Sequence, residues 1–562
     1  MRDADVPIVL TEARVITLDP HSRIAQALVV RGSRIQAIGS TAECLAAAGP
    51  QARVMPLGGR AVIPGLIDTH AHMDREGLKQ LGPSLAECRS IDDVLQQVEV
   101  AVRAAPPGAW VVTTPVGQPP YFWDGAATLR EGRLPTRREL DQVSPNNPVY
   151  IRPIWGYWRH APGPETLVSA ANSLALAASG LDAGSVPPTA SVTLGRDADG
   201  ELDGLISERG AMPVAELVML DHAYRFTAAE RRAGVRRSMA AYNALGTTGV
   251  YEGHGVSAEL FRSYRTCHRA GEMSVRVRMT HSPSWDRLAG ADPAEMLEHW
   301  AYWAAGIGDP MLSLNGLYVD HRRAADDLVR ARAAPYTGWA GFNYDSSLAL
   351  EPLRQVLLAA ARSDMQCVAI ASDLIELLEE VDRQVPLNGR RWIVQHTGPL
   401  SEQRCEAAAR LGLVITPLTI RYIYKEGFRG PPAQAADHVP LARLMALGVP
   451  VTLASDNAPP SLFHSIWHAV ARQDRFGQAV PPADQKLSRE QALRAATCNG
   501  AWLSFEETER GSLEVGKLAD LAALTADPLL CAEDQLPEIR AVLTMVDGRI
   551  VHDTLGAVAG AA

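Results

Sequence analysis

Apolar residues in this chain fall mostly into short runs bounded by Gly, Pro and Asp, too brief for helices and rich in Val, Ile and Leu. Residues 8–19, 27–30, 34–38 and 60–63 predict strands, with Gly32-Ser33 as a hairpin turn. A second β-rich stretch closes the chain at 518–524, 541–545 and 550–551, with Asp547-Gly548 as its turn. Between these ends the pattern changes. The run at Pro64-Gly65-Leu66-Ile67, then 249–252, 275–279, 312–319, 366–371, 392–395, 413–417 and 449–454, predicts eight strands. Helical spacing at 229–245 and 352–363 fills two of the gaps. This alternation argues for α/β architecture with a parallel (β/α)8 barrel. Residues 85–225 exceed any single connection between strand and helix. They predict an inserted subdomain over the barrel mouth, either a lid that gates substrate or a structural elaboration.

The first barrel run ends in Asp68-Thr69-His70-Ala71-His72. Residues i and i+2 of an extended chain face the same way. His70 and His72 can therefore converge on one metal ion at the carboxyl end of a strand, where barrels keep their active sites. A bare His-x-His arises by chance in a chain with 15 His, but the apolar run, the Pro-Gly and Asp68 around it favour the metal reading.

His396 closes the run Ile393-Val394-Gln395, and Asp456 ends 451–455 before a Pro-containing loop. A structural His and a helix N-cap are the alternatives for these two. Glu252 and His254 end the second strand, His281 the third, and Asp320 and His321 the fourth, each a weaker candidate for touching metal or substrate. Trp155, Trp158 and His160 form an aromatic group with Tyr157 in the inserted segment, and Tyr422 follows the seventh strand. His464 and His468 lie one helical turn apart but lack the Glu of His-Glu-x-x-His, so they read as helix surface or supporting polarity.

Composition narrows the classes. With 562 residues, 47% hydrophobic and 21% charged, the chain reads as a soluble globular protein of two or three domains. A net charge of −10 argues against nucleic acid as a partner. The seven Cys are scattered without a CxxC pair, which fits a reduced compartment. No apolar run reaches about 18 residues, so no membrane partner is expected. The first residues lack the order of a signal peptide, and a cytoplasmic protein is expected. Lysine occurs only at 79, 425, 486 and 517.

The string 64–72 resembles the first barrel strand of the amidohydrolase superfamily, metal-dependent hydrolases on a distorted (β/α)8 TIM barrel. Ala496-Thr497-Cys498-Asn499-Gly500-Ala501-Trp502-Leu503 and Gly511–Leu521 resemble that superfamily's exit from the barrel into its small β domain. The nearest resemblance is to the branch containing N-substituted formamide deformylases, and 108–112, 134–141 and 171–176 look like its insertion. It implies a composite β-sandwich from 1–62 plus 508–562, a hydrolase barrel over 63–507, and the inserted subdomain at about 85–225. It also implies metal ligation by His70, His72, His396 and Asp456, with Asp456 shuttling the proton.

Two departures from the family pattern bear on metal number. Many members bridge two metals with a carboxylated Lys on strand four, and strand five brings a His. Here no Lys lies between 80 and 424; Gly316 stands near the first position and Ala369 near the second. One ion is therefore expected, zinc foremost, with iron or manganese as alternatives.

The leading expectation is hydrolysis of a C–N bond in an amide, N-formyl amine or cyclic amide of a small molecule by metal-activated water. A non-hydrolytic lyase or decarboxylase on the same barrel is the second reading. A degenerate barrel that binds ligand without turnover is the third. Oligomeric state stays open, a homodimer included.

Overall fold

The structure is a computed structural model that describes residues 6–118, 122, 125–154, 166–210, 212–223, 225–288, 292–304, 306–321, 324–370 and 372–556, without the side chains of 300–304. Seven parallel strands form a nearly closed barrel, in the order Leu66–Ala71, Thr247–Val256, Arg276–His281, Leu312–Val319, Gln366–Ile370, Ile393–Thr397 and Val414–Pro417. They are strands one to seven below. Strand and chain order coincide, as successive right-handed strand–helix units require. Helices Ala228–Ala244 and Leu350–Arg362 match the two helical stretches read from sequence.

The eighth position departs from expectation. Residues 449–454 carry one parallel bridge, Val451 to Ile415 of strand seven, and no ladder to strand one. Other backbone groups take the missing bonds. Ile67 N donates to Ala496 O at 2.8 Å and Leu453 N to Ala495 O at 3.1 Å, so the end of helix Arg489–Ala495 is wedged between the two segments. A strand flanked on one side by a helix end satisfies its polar groups without pairing.

Inside the barrel, Tyr251, Tyr318, Val368, Ile393 and Val414 pack together, while Leu317, Val319, Cys367, Ala369 and Val394 pack outward with the helices. Period-two alternation sorts the strands this way.

Both chain ends pair with each other. Ala61–Pro64 pairs with Leu521–Leu524 in a six-stranded sheet whose order is Arg549–Asp553, Ala541–Val546, Leu521–Leu524, Ala61–Pro64, Arg14–Ile16 and Ile24–Ala25. A second, four-stranded sheet runs Arg34–Gly39, Ala27–Arg31, Ile8–Thr11, Arg53–Pro56. Leu10, Leu28 and Ile35 of one sheet and Val62, Leu521 and Leu543 of the other share one apolar cluster. Helix Thr41–Ala48 and strand Arg53–Pro56 lie where the sequence showed no clear period. Arg276 of strand three ties barrel to sheet, bonding Asp520 at 2.7 and 3.1 Å and Asp547 at 2.9 Å.

The inserted segment holds a five-stranded sheet in the order Val192–Arg196, Leu202–Arg209, Thr166–Ala171, Val149–Ile151, Val111–Thr113. Its Ile154 and Leu217 pack with Leu78, Phe342, Leu418 and Ala458, residues that follow the carboxyl ends of barrel strands. No described helix is long and apolar enough to cross a membrane.

Candidate metal centre

His70 lies in strand one and His72 just past its end, as the N-cap of helix Met73–Leu78. Asp456 follows the eighth segment, and a seam of hydrogen bonds sets it opposite the two imidazoles. Asp68 accepts from Ser455 N at 3.0 Å and from the Ser455 hydroxyl. Asp456 N donates to His70 O at 3.0 Å, and Asn457 Nδ2 to His72 O at 3.2 Å. Lys79, fully buried, donates to Glu76 at 2.9 Å and to Asn457 O at 3.1 Å. One backbone bond and several side-chain bonds thus replace the ladder that the wedge removes.

The donor atoms converge tightly. Asp456 Oδ1 lies 3.2 Å from His72 Nε2 and 3.7 Å from His70 Nε2, and Oδ2 lies 3.2 Å from His396 Nε2. His396 Nε2 and His70 Nε2 are 2.9 Å apart. His254 completes the group, its ring centroid 5.2, 5.1 and 5.0 Å from those of His70, His72 and His396. Two overlapping sets have ligand atoms within 4.8 Å of one another: His70, His72, Asp456 and His70, His254, His396.

His254 was one weak candidate among several in the sequence, and the structure distinguishes it. Its ring packs against Phe342 at 4.6 Å and Tyr318 at 5.5 Å, two rings that also touch each other at 6.4 Å. Asn343 N donates to Ser282 Oγ at 2.9 Å and Trp285 Nε1 to Ser346 O at 2.7 Å, which latch the Phe342 loop to the end of strand three. The preceding Gly253 gives His70 its space, since a Cβ there would sit 2.5 Å from the His70 ring.

Electrostatics suit a cation. Burial, with neighbouring positive charge, pushes the His70 and His254 imidazoles well below their ordinary range and His72 down to about 4. These rings are neutral at physiological pH and able to donate lone pairs. Burial alone would raise the Asp456 carboxyl, but His70, His396 and His72 around it hold it well below the usual carboxylate range. Its Oδ2 is buried and makes no hydrogen bond among the described residues. A buried carboxylate with an open oxygen, beside the neutral His70 and His72 imidazoles, fits a divalent ion by its chemistry.

Other sequence candidates lie elsewhere. Glu252 points away from the mouth into the helix layer, bonded to Tyr264, because it alternates with inward-facing Tyr251 and Gly253. His281, Asp320 and His321 end strands three and four outside the convergent group, and His321 Nε2 lies 3.3 Å from Asp373. Tyr422 rests against Gly398 beyond strand six. Trp155, Trp158 and His160 fall outside the described residues. His468 is buried rather than on a helix surface, stacked under Tyr424 at 5.1 Å.

The two family departures acquire physical form. Gly316 has φ 152°, and a Cβ there would meet Gln366 O at 2.0 Å, so that backbone admits no side chain at all. On strand five, Ala369 packs outward, and Ile370 is the last inward-facing residue.

The amidohydrolase family profile matches residues 53–552. An N-substituted formamide deformylase of Arthrobacter pascens is 29% identical over 99% of this chain and 99% of its own. The protein LONG AFTER FAR-RED 3 of Arabidopsis thaliana is 25% identical over 92% of this chain and 87% of its own. Among solved structures, an uncharacterised metal-dependent hydrolase from Pyrococcus horikoshii superposes with a TM-score of 0.65 at 18% identity, covering 94% of this chain and 99% of its own. With a profile running from the first sheet to the last and a barrel of matching topology, this chain belongs to the amidohydrolase family and is a metal-dependent hydrolase of carbon–nitrogen bonds.

Proposed function

We propose that the protein hydrolyses an amide, N-formyl amine or cyclic amide of a small molecule, using one divalent ion held by His70, His72, His396 and Asp456, with His254 as an additional ligand. The carrying observation is that these five residues form two overlapping sets of ligand atoms that share His70 at the barrel mouth, with Asp456 also 3.2 Å from His396. Zinc is the first ion to test, since imidazole nitrogen and carboxylate oxygen are its preferred mixed set. An ion bound there supplies Lewis acidity, which lowers the pKa of the attacking water to about 7 and polarises the substrate carbonyl.

The chain's own groups do the rest. Burial keeps His70, His72 and His254 neutral, and packing orients them, His254 against the rings of Phe342 and Tyr318. Asp456, kept ionised by its imidazole neighbours, accepts the proton of the attacking water and returns it to the leaving nitrogen. The seam from Asp68 to Lys79 fixes that carboxylate against strand one. The match to a formamide deformylase along nearly the whole of both chains supports N-formyl amines as the first substrate class.

The test is incubation with N-substituted formamides in ¹⁸O-water, reading amine release and label in formate. Label in the product with an amine leaving group supports the reading. Turnover that leaves solvent oxygen out of the product transfers the protein to lyase chemistry.

A further inference from the structure

Gln395 is fully buried and reaches two groups of strand one at once. Its Nε2 donates to the Thr69 carbonyl at 2.9 Å, and its Oε1 lies 2.5 Å from His70 Nδ1. A backbone carbonyl only accepts, so the amide cannot be reversed without setting two oxygens against each other. Oε1 therefore faces Nδ1, and an amide oxygen also only accepts. The proton of that bond belongs to His70 Nδ1. Neutral imidazole carries a single proton, so His70 Nε2 is left with its lone pair toward Asp456 and His396.

We infer that Gln395 is a positioning residue that locks His70 in its Nδ1–H tautomer, so that Nε2 is presented to a divalent cation before one arrives. The purpose rests on the metal reading above; the tautomer does not.

The backbone is arranged for this. Consecutive residues of a strand point to opposite faces. His396 has φ 56°, which breaks the alternation, and Gln395 and His396 both touch the His70 ring, one at each nitrogen. The Thr69 end is anchored as well. Thr69 Oγ1 donates to Leu453 O at 3.0 Å and lies 2.9 Å from Thr452 Oγ1, which is 2.8 Å from Thr416 Oγ1. This buried chain spans strands six, one and seven and the eighth segment. An uncharged acceptor has a further effect. A carboxylate on Nδ1–H would make the ring a stronger donor to the cation; the amide leaves more positive character on the ion.

The experiment uses full-length, metal-free protein labelled with ¹⁵N-histidine, with His70 assigned by its loss in His70→Asn. Two-bond ¹H–¹⁵N spectra distinguish the tautomers. Wild type is expected to show Nδ1–H. In Gln395→Leu that pattern should give way to Nε2–H or a mixture, and zinc affinity measured by chelator competition should fall about 10–100-fold. Gln395→Glu, which gives up the donor to Thr69 O but still accepts from Nδ1, should retain Nδ1–H and bind zinc at least as tightly as Gln395→Leu. An Nε2–H tautomer in wild type overturns the inference, as does Gln395→Leu with spectrum and zinc affinity both unchanged. Should Gln395→Leu fail to fold, the wild-type spectrum decides alone. Wild type that takes up no zinc yet shows Nδ1–H refutes the metal reading and leaves the lock standing.

Discussion

Strands one, two and six, with the eighth segment, crowd four imidazoles and a carboxylate onto one side of the barrel mouth. Strands three, four and five end in His281, in Asp320 with His321, and in Ile370, none of which joins that group. The backbone differs in step. His254, His396 and Asp456 have φ of 53°, 56° and 49°, a region that costs a non-glycine residue about 1–3 kcal/mol. No described non-glycine residue at the ends of strands three to five adopts it. Regular strands alternate their side chains and cannot aim neighbours at one point; leaving the β region does so, and the seam from Asp68 to Lys79 offsets the strain. Convergence of donors is thus a property of bent strand ends more than of residue type.

Removing the donors themselves should give the largest effect. Asp456→Asn is expected to keep the fold and much of the metal, yet lose at least 10²-fold in kcat. Steady-state kinetics beside metal analysis checks this, and a fully active variant ends the proton-shuttle role.

A matched pair across the mouth comes next. His254→Ala should weaken zinc binding by about 10-fold or more, whereas His321→Ala should leave moles of zinc per chain unchanged. Equal losses in the two would erase the contrast between the sides.

Two glycines separate packing from ligation. Gly253→Ala drives a methyl into the His70 ring and should lower metal content with little change in the Tm of metal-free protein. Gly316→Ala meets the Gln366 carbonyl instead and should lower Tm by about 1–3 °C, the shift that a cost of about 1–3 kcal/mol gives in a chain of this length, with zinc stoichiometry retained in whatever folds.

The smallest effect is a pH dependence. Burial holds His281 and His464 at about 4, below the ~6.5 of an unfolded chain. Between those values the unfolded state binds more protons, so stability rises with pH and falls on acidification from about 6.5 toward 4. Thermal melts of metal-free protein at pH 7 and pH 5 should show the lower Tm at pH 5, and replacing both residues with Gln should narrow the difference, the remainder coming from the other buried imidazoles such as His70, His72 and His254.

Much of the barrel was legible because buried strands are short apolar runs, and Leu312–Val319 falls on the run read for it. The eighth strand was not, since a run such as 449–454 looks the same whether it pairs on two sides or on one. Glu252 was placed at the mouth because its strand ends there; only the register, with Tyr251 and Gly253 inward, shows that it faces Tyr264. His254 had one readable signal, its position between Gly253 and Gly255, which permits both the positive φ and the approach of the His70 ring. Gln395 had none, because its role depends on a neighbour far away in the chain. The missing strand-four Lys was readable from composition, but the reason no side chain fits at Gly316 required the backbone.

Because Ala495 and Ala496 fill the gap beside strand one, the order of synthesis matters. Leu66–Ala71 leaves the ribosome early, yet its free edge stays open until a helix more than four hundred residues later has been made. Contacts of such sequence separation are slow to form. The nascent protein must hold its histidine-bearing edge uncovered through most of translation, until the residues that close it have been made.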